Sequence, residues 1–131
     1  MSRLLFAFMT AFAAAAVVAA VAVSFDIASR FGAHPLWSET VVWIGLALAL
    51  CLTALALRSR SLAWGGAVTS LLAGAVSARF GKQIFAASFA ENGLAGRFWY
   101  FGWIGLCTGF IALIALTFLH NAQRSVPPAE R

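Results

Sequence analysis

Acidic side chains are scarce: Asp26, Glu39, Glu91 and Glu130 are the only four in 131 residues, and charged residues of both signs make up 10% of the chain. All four lie outside the long apolar runs, so no paired carboxylates are available there for acid–base work. No Asp, Glu, Lys, Arg or His occupies the middle of any apolar run. That absence excludes the usual designs for proton relays, ion-coupled transport and charged-substrate sites, which put an ionisable group inside the bundle and tolerate its cost. Only two histidines occur. His34 falls in a loop and His120 at the end of an apolar run, which rules out a b-type haem held between facing helices. Cys51 and Cys107 both sit inside apolar runs, with no CxxC and no nearby histidine, so neither a redox pair nor a metal site is supported. GxSxG, HExxH and P-loop spacings are missing. No catalytic residue, cofactor or metal is therefore assigned, and a stand-alone enzyme is not expected. Proline is rare as well: Pro35 breaks a loop, and Pro127 and Pro128 stand in the tail. No Pro- or Ser-rich linker divides the chain, which reads as a single domain over residues 1–131.

What remains is overwhelmingly apolar. Hydrophobic residues make up 63% of the chain and the mean hydropathy is +0.92, a balance that belongs in a membrane. A span needs about 20 residues to cross roughly 30 Å of hydrocarbon. Runs at residues 4–25, 41–57, 62–78 and 98–119 meet that need, and residues 120–131 form a short polar tail. The fold class read from this pattern is an all-α membrane protein of four transmembrane helices in an antiparallel up-down arrangement. The small residues Ala20-Val21-Ala22 resemble the approach to a signal-peptide cleavage site. The first run is nevertheless longer than the 7 to 15 residues of a typical signal core, and a retained helix is expected.

Small residues dominate the third run, Leu62 to Ala78, which reads as the packing hub. Gly66, Ser70, Gly74 and Ala78 recur at every fourth position, and Gly65, Thr69, Ala73 and Ser77 form a second row beside them. In lipid, apolar side chains gain little by leaving acyl chains for one another, so close backbone approach over small residues is a main source of helix association. Gly102, Gly105 and Gly109 share one face of the fourth run, with Gly105 to Gly109 a true GxxxG. This face is expected to meet the row of Gly66, Ser70 and Gly74. The alanines at 13–16, 19, 20 and 22 offer the first run a further close-packing surface.

Between the third and fourth runs, residues 79–97 read as an amphipathic interfacial segment or an extension of the third helix. A left-handed C-terminal turn is expected at Asn92-Gly93. In the first loop Ser38 is the expected N-cap of the second helix. Arg79, Lys82 and Arg97, beside Trp99, Tyr100 and Trp103, form the best candidate contact site. Such bases can reach a phosphate while the rings lie along an acyl or isoprenoid chain. The net charge of +5 does not suggest nucleic acid, because the bases sit singly or in pairs at the ends of apolar runs, where they anchor at headgroups. With both termini cytoplasmic, Arg3, Arg58, Arg60, Arg124 and Arg131 lie inside and Arg30, Arg79, Lys82 and Arg97 outside. The tight Arg58-Ser59-Arg60 turn and the basic start favour that sense in a bacterial inner membrane.

Two functions fit such a chain. The first is a non-catalytic accessory or assembly subunit of a larger inner-membrane complex, with membrane lipids and other membrane subunits, or a second copy, as partners. The second is a small homodimeric four-helix transporter or flippase for an amphipathic or lipid-linked substrate. In length and span number the chain is similar to the small multidrug-resistance and GtrA-like groups. The former carries an essential glutamate in its first helix, and residues 4–25 contain none. Proton-coupled drug export is therefore disfavoured, whereas an uncoupled lipid carrier is not. A phage-type pore shares the size alone.

Overall fold

The computed structural model describes residues 3–125. Pro127, Pro128 and Arg131 of the expected tail lie outside the described residues. All the described regular structure is helical: α1 (Arg3–Ser24), the single turn α2 (Ile27–Arg30), α3 (Ser38–Leu55), α4 (Arg60–Ala87) and α5 (Gly93–Arg124). Four of these, α1, α3, α4 and α5, are long and apolar enough to cross a membrane. The chain is thus an all-helical protein with the makings of an integral membrane domain.

The helices outrun the apolar segments. At about 1.5 Å per residue, α4 rises roughly 42 Å and α5 roughly 48 Å, against about 30 Å of hydrocarbon. α4 continues unbroken through Arg79 and Lys82 to Ala87, so no separate interfacial helix stands before α5. Nothing in Arg79 to Ala87 forces a break: there is no proline, and Gly81 is buried against α5. Likewise α5 does not stop at His120-Asn121 but runs to Arg124, whose charge suits the negative helix end.

Two expected caps fall elsewhere. The left-handed residues of the α4–α5 turn are Phe89 (φ 53°) and Ala90 (φ 66°). Asn92 instead caps the start of α5, its side chain accepting from the Ala95 amide at 3.0 Å. Ser88 braces the turn, accepting from the Asn92 amide at 3.0 Å and donating to the Phe85 carbonyl at 2.8 Å. Ser38 is the first residue of α3 rather than its cap. Its hydroxyl donates to the Asp26 carboxylate at 3.0 Å, tying the end of α1 to the start of α3. Ser59 performs the capping role for α4, accepting from the Leu62 amide.

α5, not α4, is the hub. It packs against α1, α3 and α4 alike, and its spanning window is far more buried (61%) than that of α4 (22%). Each neighbour meets it through small residues. α1 buries Ala7, Ala11, Ala15 and Ala19, an unbroken every-fourth-residue stripe, while Ala13, Ala16 and Ala20 face outward. α3 brings Gly45 so close that a Cβ there would stand 2.6 Å from the Cys107 Cβ. Thr53 and Thr108, two buried hydroxyls within the spans, each donate to the carbonyl four residues earlier in their own helix. That pattern satisfies polar atoms in lipid without a partner helix.

Candidate functional site

The seam between α4 and α5 fixes the site's geometry. Gly81 lies against the backbone of Ala95 to Trp99, Gly74 against Gly102 to Leu106, and Gly109 against Ala67 and Leu71. Ala78 meets Gly102, and Ser70 donates across the seam to the Gly105 carbonyl at 2.8 Å. Such an interhelical bond is worth about 0.6 kcal/mol in a bilayer. Ser70, Gly74 and Ala78 therefore share one interface with Gly102, Gly105 and Gly109. Gly66 does not join them; its open side faces Leu52 of α3. The second small row also departs from the seam. Gly65, Thr69 and Ala73 are exposed, and a Cβ on Gly65 would meet nothing within 4 Å.

At the α4–α5 turn the sequence-predicted contact residues divide into two groups. The first surrounds Trp99, which is 9% exposed. Its indole N–H donates to the Gly32 carbonyl at 3.1 Å, and Trp37, His34 and Phe85 pack around it with ring centroids 5.3 to 5.9 Å away. Tyr100 meets Trp37 edge-on at 5.2 Å. Lys82 closes the cluster, with its Nζ 5.7 Å from the Trp99 ring, a cation–π contact worth about 0.5 to 1 kcal/mol at an exposed site.

The second group lines an open groove of about 770 Å³ between α2 and α4, floored by α5. Arg79, Lys82 and Gln83 stand at its polar end, with Ala75 and Ala78 on the α4 wall, Ile27, Phe31 and Gly32 opposite, and Trp103, Leu106 and Phe110 on the floor. No carboxylate is among the lining residues. Arg79, Lys82 and Trp103 thus share the groove, Trp99 and Tyr100 belong to the aromatic cluster, and Lys82 touches both. Arg97 is exposed and lines neither.

Gly32 and His34 were not legible as site residues. Gly32 adopts φ +115°, open to glycine and strained for other residues. A Cβ there would lie 3.1 Å from Lys82 Nζ. His34, placed in a loop by the sequence, is half-buried there and stacks on Trp37 at 6.1 Å. The available signal was the apolar character of the loop itself, with Phe31, Leu36 and Trp37 flanking it. Among the described residues no group of three or more His, Cys, Asp or Glu is placed to hold a metal ion.

Comparison of the chain with protein-family models, with curated proteins and with solved structures yields no match.

Proposed function

We propose that the chain is a non-catalytic subunit of a larger membrane assembly, to which it binds through small-residue helix faces. The observation that carries this reading is the outward row of Gly65, Thr69 and Ala73 on α4. Its chemistry matches the Ser70, Gly74 and Ala78 row that holds α5, yet it is turned away from the bundle. A second reading, a lipid carrier, is less well supported. The groove's charged groups, Arg79 and Lys82, occupy one turn of α4, which suits holding a headgroup at one surface rather than passing it across the bilayer. In this proposal the four spans run up-down and antiparallel in a bacterial inner membrane, with both termini cytoplasmic.

The test is crosslinking in native membranes followed by purification in mild detergent. Defined larger subunits should be recovered with the wild-type chain, and the double variant Gly65→Leu/Ala73→Leu should lose them while keeping its own helicity. A chain recovered alone after crosslinking, or partners retained by the double variant, refutes the reading.

A further inference from the structure

We propose that the groove between α2 and α4 holds one anionic phospholipid of the surrounding bilayer, its phosphate at Arg79 and Lys82 and an acyl chain over Trp103, Leu106 and Phe110. The site does not depend on the subunit reading, because lipid is present whether or not a partner is.

Charge complementarity identifies the headgroup. Arg79 and Lys82 are three residues apart on one helix face, so both reach the same end of the groove, and no carboxylate competes for them. A guanidinium offers a fork that fits phosphate oxygens, and the ammonium adds a compact point charge. Lys82 is held in place before any ligand arrives. The Trp99 ring lies beneath its Nζ, Trp99 is pinned through its N–H to Gly32, and Gly32 lacks the Cβ that would crowd the ammonium.

The rest of the lining identifies the tail. Beyond the cations and Gln83 the groove is walled by apolar side chains, and at Phe110 it meets a second hollow of about 400 Å³ lined by Leu71, Ile114 and Phe118 among others. From Trp103 to Phe118 the floor helix rises roughly 22 Å, more than the approximately 15 Å half-thickness of the hydrocarbon. A headgroup at the surface therefore has an apolar track for one chain.

The full chain in mild detergent is titrated with dioleoyl phosphatidylglycerol or dioleoyl phosphatidylcholine, and bound lipid is counted by native mass spectrometry. Phosphatidylglycerol should bind one copy tightly, and R79Q/K82Q should weaken it roughly 30-fold, from the attraction of two interfacial cations. Ala75→Phe, which fills the groove without touching a charge, should also displace it, and R97Q should not. A readout that needs no charge variant is quenching by phosphatidylglycerol brominated on its acyl chains. Quenching should exceed that by brominated phosphatidylcholine, and the excess should fall in W103F. Equal binding of the two lipids, equal loss in R97Q and R79Q/K82Q, unchanged binding in Ala75→Phe, or no preferential quenching would each overturn the site.

Discussion

Replacing Gly102 by alanine adds one methyl group at the tightest part of the bundle. That Cβ would fall on the Ala78 amide nitrogen and stand 2.8 Å from the Ala78 Cα and 2.9 Å from the Gly74 carbonyl oxygen. Backbone atoms cannot swing aside, so α4 and α5 must part by roughly 1 Å to restore a relaxed contact of about 3.5 to 4.0 Å. Overpacking of this kind costs about 1 to 3 kcal/mol. The separation also breaks the Ser70–Gly105 bond, worth about 0.6 kcal/mol. Alanine's better helix propensity returns about 1 kcal/mol, leaving a net loss of roughly 0.6 to 2.6 kcal/mol. Gly65→Ala makes the same chemical change where nothing lies within 4 Å, and should gain up to about 1 kcal/mol from propensity alone. Reversible unfolding of both variants in mixed micelles, followed by helicity, measures the difference. The reasoning fails if Gly102→Ala is as stable as wild type, or if Gly65→Ala loses stability to the same degree.

Three further outcomes are expected. Ala90→Gly relieves a left-handed residue on an exposed turn (φ 66°) and should raise the unfolding free energy by about 1 kcal/mol, the cost of that region for L-residues. Gly32→Ala forces a side chain onto φ +115° beside Lys82; a loss of about 1 to 3 kcal/mol should appear in unfolding titrations, with a red shift of tryptophan emission as Trp99 loses its partner. Ala15→Leu places a large side chain in the fully buried stripe of α1 and should cost about 1 to 3 kcal/mol, whereas Ala16→Leu, one position on and exposed, should be near neutral in the same titration.

The spans were legible because hydropathy reports which residues can face hydrocarbon. It does not report where a helix stops: residues 79–97 read equally as an interfacial segment or as an extension, and α4 takes the extension to Ala87, while Gly93 to Arg97, which no apolar run included, open α5. The face containing Gly102, Gly105 and Gly109 was legible from spacing, and so was most of its counterpart. Gly66 was misdirected because an every-fourth-residue row drifts by about 40° per step on a helix of 3.6 residues per turn, which brings its first member round toward α3. The buried positions Ala63, Ala67, Gly74, Ala78 and Gly81 mix steps of three, four and seven, which follow the helix face more closely. In FWYFGW, Phe98 and Phe101 face outward while Trp99 and Trp103 are buried. For Trp99 that choice depends on Gly32, 67 positions away along the chain, and no local pattern carries it.

The order in which the helices leave the ribosome bears on how they assemble. α1, α3 and α4 are all made before α5, yet each of them packs more extensively against α5 than against any other helix. Until it arrives, the glycine face of α4 lies bare to lipid or to any insertion factor at hand, and α1 keeps only its smaller contacts with α2 and α3. Stalling synthesis after Ala87 would therefore catch the protein as a set of loosely associated helices.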